Sequence, residues 1–217
     1  MKKISIKKVI ASSVISLLLM PMFYLAFEPL IANATAVTDT MIVTLNVDSG
    51  VTITAPADIT MAPNIGTGSN SSISATGATW TVVTNSATGY GLTVQASTTA
   101  ALKSGANQFT DAPLTTALWS VPASSTQFGF SVRQASTGWV NTTTWGTGAD
   151  CGTAGTPNAT LKYSGFNGVT PINIATFATP TPLAGQATNV CFAAGQNGIF
   201  AAAGVYTATI TATATAA

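Results

Sequence analysis

Few side chains in this sequence could carry out chemistry. The chain has no histidine, which removes the commonest general base and the usual Ser–His and Cys–His pairs. Serine–lysine catalysis would need Lys103 or Lys162, and neither lies in a Ser-x-x-Lys pattern. The residue types therefore predict a protein that is not an enzyme.

The acidic residues after residue 36 are scattered singly and are all aspartates: Asp39, Asp48, Asp58, Asp111 and Asp150. Paired carboxylates could hydrolyse glycans, and several together could bind calcium, which takes six to eight oxygen ligands. No Asp-x-Asp-x-Asp cluster occurs, and single aspartates are typical of turns. We therefore predict no catalytic carboxylate pair, no metal site and no cofactor.

Three tryptophans are candidate glycan contacts. Trp139 and Trp145 lie in a Thr/Gly/Asn-rich stretch just before Cys151, and Trp119 lies upstream. Exposed aromatic rings can stack on sugars, while Asn and Thr supply hydrogen bonds. The alternative is that these rings fill a core that is short of Leu and Ile, since large aromatic residues are usually well buried.

The first 36 residues have the pattern of a secretory signal. A basic start at residues 2–8 precedes an apolar run at residues 9–27, and Ala34-Thr35-Ala36 follows as a small-x-small cleavage site. We predict a signal peptide over residues 1–36 and a protein that is secreted or displayed on a bacterial surface. The alternative is an uncleaved membrane anchor, which would be the only membrane contact.

The 181 residues after the predicted cleavage site carry very little charge. Three basic residues, Lys103, Arg133 and Lys162, stand against five aspartates, which gives a net charge of −2. Without a basic patch, nucleic acid is excluded as a partner. Low charge also weakens the repulsion that keeps proteins apart, which suits an extracellular or wall-associated assembly.

Cys151 and Cys191 are the only cysteines. An oxidising compartment favours a disulfide between them, with two reduced thiols as the alternative. The loop that it closes, about 40 residues, is worth roughly 3–4 kcal/mol of stability in the chain-entropy model. We expect this bond to staple a loop region over residues 134–191.

Alternating apolar and polar residues predict strands rather than helices. Residues 40–47 and 51–55 form one predicted hairpin around the turn at residues 48–50, and residues 79–84 and 90–97 form a second. Further strands are predicted at residues 117–121, 127–133 and 189–193, with a loop at residues 62–78.

The last predicted strand covers residues 204–216. Threonines line one face, and the other face carries Tyr206, Ala208, Ile210, Ala212 and Ala214. Such an uncharged strand at a sheet edge would invite pairing with another chain. We therefore expect it in the middle of a sheet or paired with the first strand.

These patterns predict an all-β protein, an immunoglobulin-like antiparallel β-sandwich with long loops, as a single domain over residues 37–217. A β-solenoid is the runner-up, although no fixed repeat period recurs along the chain.

Two segments resemble a known family. Trp80-Thr81-Val82, followed by Tyr90-Gly-Leu-Thr-Val94, resembles the first signature of WxL-type bacterial cell-surface domains. The segment from Tyr206 through Ile210 is similar to their second signature in position, and also to the final strand of pilin-like and spore-coat-like secreted β-sandwiches. The resemblance implies an exported, β-rich surface protein that associates non-covalently with the cell wall.

Together these observations predict a secreted or cell-surface structural or adhesive protein that acts through β-sheet surfaces without catalysis. Its expected partners are a cell-wall or extracellular glycan, or other surface proteins, including further copies of itself. The alternative function is a carbohydrate-binding module that uses exposed tryptophans.

Overall fold

A computed structural model describes residues 39–133 and 141–217. The predicted signal peptide and Trp139 lie outside these residues. The chain divides into two compact units, Met1–Asn46 and Val47–Ala217. The described part of the first unit, residues 39–46, contains no helix or strand.

The second unit consists of β-strands with one short helix among its described residues. The strands are β1 (Val51–Thr54), β2 (Ser71–Ile73), β3 (Ala78–Thr84), β4 (Tyr90–Ala96), β5 (Lys103–Ser104), β6 (Asn107–Gln108), β7 (Thr110–Asp111), β8 (Ala117–Leu118), β9 (Ser125–Arg133), β10 (Gly152–Thr153), β11 (Thr156–Pro157), β12 (Lys162–Tyr163), β13 (Ile172–Phe177), β14 (Gln186–Asn197) and β15 (Ile210–Ala216). The helix α1 is Thr142–Trp145. The predicted all-β class is confirmed.

Two sheets enclose the main core. A six-stranded sheet has the order β1-β3-β14-β9-β7, with β2 also pairing with β14, and a three-stranded sheet has the order β13-β4-β15. Strands are antiparallel except for the short pair of β7 and β9. Trp80 and Val82 of the first sheet and Leu92 and Val94 of the second share one buried cluster. The fold is therefore a β-sandwich, as the sequence predicts.

Neither predicted hairpin forms. Residues 40–47 make no strand, and β1 pairs with β3 instead. β3 and β4 form almost where predicted, but they lie in different sheets. The chain arches across the core between them because each strand has a row of buried apolar residues, and facing sheets let these rows cover each other.

The central strand of the larger sheet is β14. The prediction at residues 189–193 is confirmed, but the strand is 12 residues long and pairs with β2, β3 and β9. Its side chains are buried on both faces from Thr188 to Gln196. Val190 and Phe192 enter the main core, whereas Cys191 and Ala193 enter a second cluster on the opposite face of the sheet.

The second cluster consists of Ile73, Cys151, Leu161, Tyr163, Cys191 and Ala193. The predicted disulfide is present, and it joins Cys151 and Cys191 with their Cα atoms 5.3 Å apart. The described residues of the region predicted as stapled loops, 134–191, thus include a layer that covers the outer face of the six-stranded sheet. The same region also contains β13, which the sequence analysis did not identify.

Glycines in the central strands let this layer approach closely. A Cβ atom added to Gly129 of β9 would lie 2.8 Å from the Ser164 carbonyl oxygen and 3.3 Å from the ring of Trp119. The Trp119 ring also lies over Gly195 of β14 and packs edge-on against Tyr163, with centroids 5.2 Å apart. Because Gly129 and Gly195 have no side chains, the sheet leaves space for the Trp119 ring.

The C-terminal strand differs from its prediction. Regular pairing begins only at Ile210, and β15 pairs with β4 rather than with the first strand. It lies at the edge of the three-stranded sheet, not in the middle. Its alternation is as predicted: the threonines Thr211, Thr213 and Thr215 are exposed, and Ile210, Ala212 and Ala214 are half-buried.

Replacing Gly129 tests the packing of the covering layer. Gly129→Ala should lower the free energy of unfolding by roughly 1–3 kcal/mol, because the new methyl group meets backbone and an adjacent methyl. Urea denaturation measures the change. Gly68→Ala is the matched control, since nothing lies within 4 Å of a Cβ atom there. Equal effects of the two substitutions would contradict the close approach.

Removing the disulfide tests how firmly the layer is held. The double variant Cys151→Ala, Cys191→Ala should lose roughly 2–4 kcal/mol of stability. Without the bond, which joins residues 40 apart in the chain, the unfolded state regains conformational entropy. The urea midpoint of the variant should match that of the reduced wild-type chain. Unchanged stability would show that packing of the second cluster suffices without the bond.

Candidate interaction surfaces

The outer face of the three-stranded sheet is an uncharged polar surface. Cross-strand register places Thr213 beside Thr93 and Thr93 beside Asn173. The face, which we call the threonine face, consists of Gly91, Thr93, Gln95, Asn173, Thr176, Thr211, Thr213 and Thr215. Its polar side chains are hydroxyls and amides, which both donate and accept hydrogen bonds.

The edge of this sheet at β15 carries unpaired backbone groups. The ladder with β4 is bracketed by bonds from Ser97 N to the Thr209 oxygen and from Ala217 N to the Gly89 oxygen, both 3.0 Å. Because antiparallel pairs alternate, the amides of the threonines point to β4 and those of the intervening residues point away. We call these outward amides the free edge. They belong to Ile210, Ala212, Ala214 and Ala216, and they have no partner among the described residues.

The candidate glycan contacts are mostly inside the protein. Trp145 is 3% exposed and packs against Phe130, with ring centroids 5.2 Å apart. Trp119 is half-buried over the sheet glycines. Neither ring offers a fully open face, and Trp139 is outside the described residues. A sugar-stacking role for these three tryptophans stays a prediction.

The four motif-like residues lie at different depths. Trp80 and Val82 are buried in the main core, at 6% and 0% exposure. Tyr206 and Ile210 are half-buried and pack against the same core. Tyr206 also contacts Phe109, edge to face with centroids 5.0 Å apart. All four therefore contribute to the sandwich interior.

A cavity of about 290 Å³ lies between α1 and β13. Its described lining is uncharged: Asn141, Thr144, Trp145, Asn173, Ile174, Ala175 and Thr176. The Asn141 side chain caps α1 by accepting from the backbone nitrogens of Thr143 and Thr144, at 3.0 and 3.2 Å. This cap fixes one wall of the cavity.

Two aspartates have shifted pKa values of opposite sign. Burial raises the pKa of Asp111, although its carboxylate accepts from the Ala101 nitrogen at 3.1 Å and lies near Lys103. Asp150 is exposed, and hydrogen bonds from the Asn158 amide and the Gly152 nitrogen, both 2.9 Å, lower its pKa. Both carboxylates accept a hydrogen bond from a backbone nitrogen within ten residues along the chain.

Within residues 39–133 and 141–217, no three His, Cys, Asp or Glu side chains come together as a metal site would require. In the same residues, no helix is long and apolar enough to cross a membrane.

No protein-family model, curated protein or solved structure matches this chain.

Sequence reasoning missed the two features that dominate these surfaces. The free edge was overlooked because the C-terminal strand was placed inside a sheet. Its uncharged Thr/Ala alternation was the available signal, since it marks a strand able to accept a partner. The exposed apolar side chains of residues 41–47 were overlooked because that segment was assigned to a hairpin.

The pKa shifts predict opposite pH dependences of stability. Asp111 holds its proton more tightly in the folded state, so the free energy of unfolding falls as pH rises from the ordinary carboxyl range through its raised pKa. Asp111→Asn should remove that loss, because the amide oxygen can still accept from Ala101. Urea midpoints between about pH 2 and about pH 7 measure the effect.

Asp150→Asn serves as the control of opposite sign. Asp150 stabilises the folded state at pH values above the pKa that it has in the unfolded chain. This stabilisation is lost as pH falls through the lowered pKa that it has in the folded chain. This variant should therefore be less stable than the wild type near neutrality and match it in acid. If both variants follow the wild-type pH curve, the assigned shifts are wrong.

Proposed function

We propose that this chain is an exported structural or adhesive protein of a bacterial surface, which acts through its β-sheet surfaces without catalysis. The observation that carries the proposal is the uncharged threonine face, bordered by the free edge of β15. A face of hydroxyls and amides can bind another polar surface by many hydrogen bonds.

The disulfide supports the compartment in this proposal. The Cys151–Cys191 bond indicates an oxidising, extracytoplasmic environment, because cytosolic thiols are kept reduced. Full export and cleavage after Ala36 belong to the proposal. The signal-like order of residues 1–36 supports both.

Partners follow from the chemistry of the threonine face. A cell-wall or extracellular glycan presents hydroxyls, and another surface protein presents amides, and both can pair with Thr and Asn side chains. The resemblance to WxL-type domains favours the wall. In that case the buried Trp80 and Val82 would shape the core rather than touch the ligand.

A second candidate function is a carbohydrate-binding module. The cavity between α1 and β13 favours it, because its uncharged lining combines two amides, two hydroxyls and one tryptophan. Thr144 lines this cavity but is not part of the threonine face, and Thr144→Val should weaken binding on a glycan array if a sugar enters this cavity. Retained binding by that variant would reject the cavity as the site.

Cell fractionation and wall binding together test the main proposal. The full-length gene is expressed in an exporting bacterial host, and the product is located by fractionation and identified by intact mass. We expect a cleaved, oxidised chain in the medium or on the wall. An uncleaved, reduced chain in the cytoplasm would overturn the proposal.

The recovered product is then sedimented with isolated cell walls. Because the threonine face has no charge, binding should stay constant from about 0.1 to about 1 M salt, where ionic contacts are screened. Thr213→Lys should weaken binding roughly tenfold, equivalent to ~1.4 kcal/mol. Asn107→Lys, the same charge on the exposed strand β6, should not. Equal losses in both variants would exclude the threonine face.

A further inference from the structure

An apolar segment lies exposed at the start of the described chain. Residues 40–47, which we call the apolar segment, carry no charge between Asp39 and Asp48. The exposed fractions of its large side chains are 86% for Met41, 90% for Ile42, 82% for Val43, 83% for Leu45 and 74% for Val47. Contiguous apolar surface of this kind marks an interaction site.

The residue order of the apolar segment suits a strand with one apolar face. Met41, Val43, Leu45 and Val47 would lie on that face, and Thr40, Thr44 and Asn46 with Ile42 on the other. In the structure these residues form no strand. Eight residues are too few to span a bilayer, which needs about 20.

The free edge of β15 has the matching properties. It is seven residues long, uncharged and regular, and its outward amides lack partners among the described residues. On the core side, Ile210, Ala212 and Ala214 are only half-buried, and two of these side chains are small. A neighbouring strand with large apolar side chains would cover these half-buried side chains further and complete their burial.

Other described edges fit an eight-residue partner less well. β13 has a register shift between Asn173 and Ala175, and irregularities of this kind block edge pairing. β7 has two residues, and β1 has four. β1 and β15 lie side by side, with Cα atoms within 8 Å, but no ladder joins them. Backbone pairing is therefore incomplete where β1 and β15, the edge strands of the two sheets, adjoin.

We propose that the apolar segment of one copy pairs with the free edge of β15 in a neighbouring copy, with Met41, Val43, Leu45 and Val47 facing the core. This inference rests on the proposed function and names a second copy of the chain as the partner. Each copy has one donor segment and one acceptor edge, at different places in the chain. A single such contact leaves a donor and an acceptor unused, so further copies can add head to tail, into rings or open filaments.

Cross-linking between differently marked copies tests the contact. Both native cysteines are in the disulfide, so an introduced cysteine is the only free thiol. Copies of the exported full-length product carrying Val43→Cys are mixed with copies carrying Ala212→Cys and treated with a short thiol cross-linker. We expect heterodimers of these two. As a control, copies carrying Val169→Cys, a change at an exposed valine elsewhere, should form at least tenfold fewer heterodimers with copies carrying Ala212→Cys.

Two substitutions test the driving forces. Val43→Lys puts a charge on the apolar face, and Ala212→Pro removes an outward amide hydrogen while leaving the bonds to β4. Each should lower assembly, measured by sedimentation velocity, at least tenfold, with the urea midpoint unchanged. Val169→Lys is the matched control and should assemble as the wild type does.

Several outcomes would overturn the inference. These are a monomer at all concentrations, assembly that ignores both substitutions, or a monomer whose apolar segment binds phosphatidylcholine vesicles. A chain that carries both Val43→Cys and Ala212→Cys gives a further test. If these two cysteines cross-link within one chain at high dilution, the inference is overturned too. If copies do not cross-link but the exported chain still binds walls, only this inference fails. If the chain stays in the cytoplasm, the proposed function fails, while cross-linking of the purified chain still reports on the contact.

Discussion

The sandwich is organised around β14, which is buried on both faces. A strand in this position needs an apolar layer on each side and hydrogen-bond partners for most of its buried polar groups. The three-stranded sheet supplies one layer, and the region joined by the Cys151–Cys191 bond supplies the other. Asn189 shows the polar requirement: its amide donates to the Thr76 oxygen at 3.1 Å and to the Thr79 hydroxyl at 2.8 Å. Its carbonyl oxygen lies 3.7 Å from the Cys151 sulfur.

Scarcity of charge shapes both the interior and the surface. With few ionic groups, the described chain relies on backbone ladders, aromatic packing and local hydrogen bonds. Phe130, for example, contacts both Trp145 and Phe166, with centroids 5.2 and 4.7 Å apart. At the surface, the same scarcity leaves the free edge without the charged residues that usually prevent edge pairing.

Two similar segments illustrate what local pattern can and cannot predict. Residues 40–47 and β15 both alternate without charge, and both patterns predict strands. Only β15 forms one, because Thr211, Thr213 and Thr215 find partners along β4. Likewise, the alternation in β3 and β4 predicted the strands themselves but not their separation into two sheets. Period-2 patterns identify the face of a strand that is buried, whereas the partner depends on residues far away in the chain.

Residue types and local alternation are enough to predict the all-β class, the disulfide, and most of the strands around the core, including the inward row Phe128, Phe130 and Val132. These signals act over a few residues. The central place of β14, the position of Trp119 over Gly129 and the edge position of β15 are seen only in the folded chain. Each of these depends on which distant segments compete for the same backbone hydrogen bonds and the same buried space, and no short stretch of sequence contains that information.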